Sequence, residues 1–239
     1  MPESVIRLVD YYKRNGLIST IQRATVAAKR SLFASRSVVF YCDLKTENSS
    51  TELPDFLRVD RVKACGDLNH QDLEQILSVG NSKLARQRMQ QRFDRKASLW
   101  TIKWAGNLAG FGWTLRGGAI DLYYFPIGSD DVQFFDFHVL PRYRGRALDW
   151  FLFRYILHSL AAEGGARAFA EAAEWNQPSV ASLNMIGFRC LGRGRILRLF
   201  GQTLTSWAAG AGLGSQKAGR RQAASVQATS ESPYVEIGG

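Results

Sequence analysis

The chain has few cysteines, few histidines, a deficit of acidic residues and no long apolar run. Its three cysteines, Cys42, Cys65 and Cys190, are odd in number and widely spaced, with no histidine pair beside them. That excludes a disulfide framework and a zinc site. The first residues, MPESVIRLVDYYKR, lack the apolar core of a secretion signal. Leu199 to Gln216, though uncharged, holds too much Gly, Ser, Thr and Gln to span a bilayer. A reducing, cytoplasmic setting without a membrane span or a metal is therefore expected. Only 21 acidic residues stand against 31 lysines and arginines, a formal net charge of +10. Such a surplus suits nucleic acid, an anionic membrane surface or a polyanionic small molecule. The basic residues do not form one block. Arg7, Lys13, Arg14, Arg23, Lys29, Arg30 and Arg36 face only Glu3 and Asp10 near the start, a second group surrounds Arg142, and Arg189, Arg193, Arg195 and Arg198 form a third. Nucleic-acid binding would call for interleaved aromatics or a known module, and neither is present. Solvated basic faces and one polyanion site are expected, with peripheral membrane contact through the basic N-terminal segment left open.

What is present is apolar pattern. At 239 residues and 46% hydrophobic content, the chain can bury one core and carry extensions. Residues 1–33 predict a helical hairpin: Val5, Leu8, Val9 and Tyr12 share a face, Gly16 breaks it, and Ser19 opens a second helix. With a short strand over Ser37 to Leu44, residues 1–44 form a basic extension, and the polar stretch 45–52 links it to a main domain at 53–201. That domain opens with a strand over Phe56 to Ala64, helices from His70 to Val79 and Lys83 to Lys96, and a hairpin of Trp100 to Trp104 with Leu108 to Leu115. Next come a strand over Val132 to Val139, a helix ending at Ala162 before Gly164-Gly165, and a strand over Ala166 to Ala172. A helix over Pro178 to Ile186 and strands over Phe188 to Phe200 complete it. The tail 210–239, rich in Gly, Ala, Ser and Gln, has no apolar face to dock and is expected to be disordered.

The most informative stretch is FFDFHVLPRYRGRA, Phe134 to Ala147. An apolar strand stops at Pro141, a basic glycine-containing turn follows, and Leu148, Phe151, Leu152, Tyr155 and Ile156 then recur at helical spacing. A helix start leaves unpaired N–H groups and the positive end of the dipole, so a turn with little bulk at Gly145 and Ala147 can cradle a phosphate. Arg142, Arg144 and Arg146 add charge. Downstream, Asn176-x-x-Ser179 precedes Met185-Ile186-Gly187-Phe188.

Together these residues resemble the GNAT superfamily of N-acetyltransferases. Arg142-x-x-Gly145-x-Ala147 after a strand is similar to its acetyl-coenzyme A motif, and Asn-x-x-Ser ending in Gly-Phe is similar to its second motif. The resemblance covers roughly residues 53–201. It implies a mixed, largely antiparallel sheet flanked by helices, acetyl-coenzyme A as acyl donor, and an amine on a small molecule, sugar or protein as acceptor. It assigns the diphosphate to Arg142, Tyr143, Arg144, Gly145, Arg146 and Ala147, and the thioester carbonyl and pantetheine arm to main-chain groups of Phe137, His138 and Val139. Asn176 and Ser179 would touch the pantetheine arm while also capping a helix. Trp175 could line the acyl pocket, or be core.

Amide formation needs a base. Strict alternation places Gln133, Phe135, Phe137 and Val139 on one face of the strand and Phe134, Asp136 and His138 on the other. Asp136 and His138 are thus neighbours able to take a proton from an ammonium, or else a structural pair; Asp131 and Gln133 stand in reserve. Many relatives carry an acidic tyrosine where this chain has Leu183, which cannot protonate a leaving thiolate. An alternative is a module that binds an acyl-coenzyme A or a partner without turnover. Turnover separates the two.

Overall fold

Eight strands form one sheet, and its order explains where the site lies. The computed structural model describes residues 36–46, 52–79, 82–120, 123–199 and 202–210. The hairpin expected over 1–33 and the tail beyond residue 210 lie outside the described residues. Strands Leu57–Val62 (β2), Ser98–Trp104 (β3), Asn107–Arg116 (β4) and Val132–Val139 (β5) pair antiparallel in succession. Helices His70–Ser78 (α1) and Ser82–Asp94 (α2) lie between β2 and β3 in the chain. From β5 the chain passes through helix Leu148–Ala162 (α3) to Arg167–Ala173 (β6), which runs parallel to β5. Helix Gln177–Ile186 (α4), then Arg189–Leu199 (β7) and Gln202–Ala209 (β8), complete it. The order across the sheet is β2, β3, β4, β5, β6, then Arg36–Asp43 (β1), then β7 and β8. The fold is a mixed sheet flanked by helices.

Two features depart from the expected layout. Strand β1 is not set apart by a linker; it lies inside the sheet, antiparallel to both β6 and β7. The cause is composition: Val38, Val39 and Phe40 are all buried, and three consecutive apolar residues can be covered together only with strands on both sides and layers on both faces. Strand β8 is the second. QTLTSWAA lacks a strong alternating pattern, and it becomes a strand by pairing with β7 from Gly192 through Leu199.

Each face has its own core. Leu148, Leu152, Phe153, Ile156, Leu157 and Leu160 of α3 fall at helical spacing and pack with Phe134, Ala168, Ala170 and Ala172. On the opposite face, Leu73, Ile76 and Leu77 of α1 and Met89 and Phe93 of α2 cover Leu99, Phe111, Trp113 and Leu115. Asn69 starts α1 by accepting from the Asp72 N–H at 2.7 Å. A third cluster joins Val39, Tyr123, Tyr124 and Phe169, bringing the segment between β4 and β5 onto the β6 and β1 end of the sheet. Among the described residues no helix is long and apolar enough to cross a membrane, and no group of His, Cys, Asp and Glu is placed to hold a metal.

Candidate active site

The parallel pair β5 and β6 is hydrogen-bonded in register only at Val132, Gln133 and Phe134 against Ala168, Phe169 and Ala170. Beyond Phe134 the strands are no longer partners, although both continue. The same point is marked on the other side of β5 by a bulge. Phe111 pairs with His138 and Trp113 with Phe135, so Asp136 and Phe137 together oppose Gly112 alone. Asp136 absorbs the extra residue with φ of 50°, a left-handed conformation that aspartate tolerates better than most residues.

The bulge corrects the alternation expected for β5. Phe137 and Val139 lie on the α3 face with Phe134, whereas Phe135 packs on the α1 and α2 face. Phe137 stacks on Phe153 with ring centroids 4.0 Å apart, over the bare Cα of Gly112, where an added Cβ would meet the ring at 2.2 Å. The Phe137 side chain is thus committed to the packing on the α3 face. Asp136 and His138 do share a face, but with Gln133 and Phe135 rather than with Phe134.

After Leu140 the chain enters the basic turn. Gly145 has φ of 76° and Ala147, the residue before α3, has φ of 55°. These two left-handed residues leave the amides of Gly145 through Trp150 without an acceptor among the described residues. Nothing lies within 4 Å of a Cβ built on Gly145. A row of free N–H groups at the N-terminus of a 15-residue helix is an anion cradle. The arginines divide their roles. Arg142 lies 4.8 Å over the Tyr143 ring and reaches Gln75 Oε1 at 3.2 Å, while Arg146 lies 4.7 Å over Trp104. Both fix the turn on aromatic rings. Arg144 is exposed; its N–H donates to Pro141 O at 3.3 Å, and its side chain makes no hydrogen bond or ion pair among the described residues.

Asp136 is paired with Arg92 of α2, whose guanidinium sits 5.1 Å over Trp113 and 5.2 Å over Phe135. The His138 ring lies 5.1 Å from Phe111. Although His138 keeps an exposed edge, desolvation lowers its pKa; Asp136 opposes that shift, and Arg92 and Arg144 add to it. The imidazole is therefore neutral at physiological pH and able to take a proton. Asp131 sits elsewhere. At the entry to β5 its buried carboxylate accepts Arg167 Nε at 2.9 Å, Arg167 Nη2 at 2.6 Å and the Gly128 N–H at 2.8 Å. It ties the start of β5 to β6 and has no place among the residues of the turn.

At the start of α4, Asn176 accepts the Ser179 N–H at 3.3 Å, with Pro178 in the first turn and Gly187 closing the helix at φ of 106°. Trp175 is exposed rather than core. Leu183 is 5% exposed and packed with the α3 core, so that position holds apolar contact where a proton donor would be needed.

Two groups escaped the sequence reading. One is Arg92. The other is Glu171 on β6, the first residue after the last β5–β6 register pair. Tyr124 donates to its Oε2 at 2.8 Å and Gln133 Nε2 donates to Oε1 at 3.4 Å. Burial raises its pKa, and the polar groups of Tyr124, Gln133 and, least, Tyr123 oppose that rise. The only sequence sign was one acid within the Ala- and Phe-rich run Arg167–Ala173.

Residues 67–188 match the family model described as the acetyltransferase (GNAT) family. That is more than half of the chain, and the chain belongs to this family. Among solved structures, the GCN5-related N-acetyltransferase from Kribbella flavida is 11% identical over 70% of this chain and 59% of its own, with a TM-score of 0.44. The GCN5-related N-acetyltransferase from Sphaerobacter thermophilus is 12% identical over 66% of this chain and 49% of its own, at 0.48. The chain thus spans about half to three fifths of the length of those two. AAC(6')-Iy, solved with the bisubstrate analogue CoA-S-monomethyl-acetylneamine, is 15% identical over 56% of this chain and 90% of its own, at 0.44. No curated protein matches the chain.

Proposed function

From a chain of the GNAT acetyltransferase family, we propose an enzyme that moves an acetyl group from acetyl-coenzyme A to a primary amine. The observation that carries this reading is the free amide row at Gly145 to Trp150, at the end of a strand that ceases to pair with β6 beyond Phe134. The cradle fits a diphosphate: it is unhindered, positively charged by Arg144, and backed by a helix dipole. Acetyl-coenzyme A supplies the activated thioester. The unpaired edge of β5 over Phe137 to Val139 orients it through main-chain groups, and Asn176 and Ser179 border the pantetheine arm. His138, neutral and flanked by Asp136, accepts the proton that an acceptor ammonium must lose before it can attack. With Leu183 in the core, the leaving thiolate takes its proton from water, which its pKa of about 8.5 allows.

The test has two arms. Calorimetric titration measures binding of acetyl-coenzyme A, and thiol release reports transfer to a panel of polyamines, amino sugars, amino acids and peptides. Absence of coenzyme binding would refute the reading. Tight binding without transfer to any amine would leave a non-catalytic acyl-coenzyme A module.

A further inference from the structure

Among the described residues both buried carboxylates have cations, and the half-buried carboxylate of Glu171 has none. Asp72, 6% exposed, is met by Lys103 Nζ at 2.8 Å. Asp131, 1% exposed, is gripped at both oxygens by Arg167. Glu171 is half-buried, yet its hydrogen-bond donors are a phenol and an amide, and no lysine or arginine among the described residues pairs with it. A carboxylate removed from water without a counter-charge is costly unless something supplies one.

Tyr123 is 9% exposed and its hydroxyl, fully shielded from water, has no hydrogen-bond partner among the described residues. Its environment raises the phenol pKa strongly through burial, with Glu171 and Tyr124 adding to the shift. It is a neutral donor held next to the uncompensated acid. Around them stand aromatic rings: Tyr124 stacks on Trp207 at 5.9 Å, and Phe125 meets Trp207 at 5.1 Å and Phe169 at 5.4 Å. Acid plus aromatic faces is the chemistry that receives an ammonium ion.

Gln133, which binds Glu171 from β5, lies on the same face as Asp136 and His138, and Glu171 follows directly on the last paired residue of β6. We propose that Glu171, held by Tyr124 and Gln133 beside Tyr123, is the docking site for the ammonium group of the acceptor, so that the acceptor is a cationic amine. This rests on the acetyl-transfer reading above. The acceptor's positive charge takes the place that Lys103 and Arg167 fill for the other two acids, and sets its nitrogen beside the parting of β5 and β6.

The experiment compares acceptors by charge. Transfer from acetyl-coenzyme A is measured to butylamine, spermidine and glucosamine, and to O-methylhydroxylamine, an amine that is uncharged at neutral pH. Glu171→Gln keeps the size and hydrogen bonding of the side chain and removes its charge. A charge-assisted hydrogen bond is worth ~1.5–3 kcal/mol, so KM for the cationic acceptors should rise roughly 10- to 100-fold. KM for O-methylhydroxylamine, kcat and acetyl-coenzyme A affinity should stay within about twofold, and Glu171→Asp should recover part of the loss. Tyr124→Phe should raise KM for the same cationic acceptors by a smaller factor. Melting temperature at neutral pH should not fall in Glu171→Gln, because the variant no longer buries an unpaired charge. Equal KM rises for charged and uncharged amines would overturn the docking site. So would a Glu171→Gln protein with parental KM for the cationic acceptors. If the parent binds acetyl-coenzyme A but transfers to no amine, the acetyl-transfer reading fails first and the docking site falls with it.

Discussion

Gly145→Glu separates charge from shape at the turn. Residue 145 has φ of 76° and nothing within 4 Å of a built Cβ. Any side chain there meets backbone strain of ~1–2 kcal/mol and no clash. A fold stabilised by ~5–15 kcal/mol survives that. Gly145→Ala carries the same strain without charge, and so serves as the control. The glutamate places a carboxylate beside the amide row that would hold a diphosphate. Two unit charges ~4 Å apart repel by ~1 kcal/mol in water and ~4 kcal/mol at an effective dielectric of ~20. The turn is exposed, which favours the lower figure, while the diphosphate carries more than one charge. A net loss of ~2 kcal/mol corresponds to roughly 30-fold weaker binding. Calorimetric titration with coenzyme A at low and high salt reads this directly. Because the screening length shrinks from ~10 Å at 0.1 M to ~3 Å at 1 M, the glutamate deficit should narrow with salt and any alanine deficit should not. A folded Gly145→Glu protein that binds coenzyme A as tightly as Gly145→Ala at low salt would refute the cradle.

Three further outcomes are expected. Asp131→Asn should cost about 2–3 kcal/mol, less than the ~3–5 kcal/mol of a fully buried pair because Arg167 is about half exposed; differential calorimetry would show a melting temperature ~5–10 °C lower, and an unchanged value would mean the ion pair holds nothing. Since the fold lowers the His138 pKa below its ordinary 6.5, the unfolded chain binds that proton more tightly, and the stability due to neutral His138 is present above that value and lost as pH falls below it. His138→Gln should therefore lose less stability than the parent on acidification; parallel decline of the two melting temperatures would contradict this. Deleting residues 1–43 should abolish folding, because β1 pairs on both edges inside the sheet; a soluble truncated protein with the parental circular dichroism spectrum would show that strand to be dispensable.

The sequence by itself determined whatever depends on neighbours in the chain. The basic turn, the α3 stripe from Leu148 to Leu160, the Asn176 cap, the Gly187 stop and the β3–β4 hairpin all arise from residues a few positions apart, where dihedral preference and periodicity act directly. The mixed sheet flanked by helices was foreseeable through the family resemblance that the basic turn and the Asn176-x-x-Ser179 motif carry. The tertiary structure alone decided the rest. Where β1 inserts depends on partners more than a hundred residues away, at Ala168 to Ala173 and Arg189 to Arg195, and β8 is a strand through its pairing with β7. The bulge at Asp136 exists because β5 carries one residue more than Gly112 can match across β4. That single residue turns Phe137 into the core and leaves Asp136 beside Arg92. The acid at 171 shows the same limit. Its spacing says only that it lies in a strand, whereas its want of a cation follows from which side chains other strands bring to it. Hydrogen-bond register and charge pairing between distant segments are properties of the packed sheet, and no local pattern encodes them.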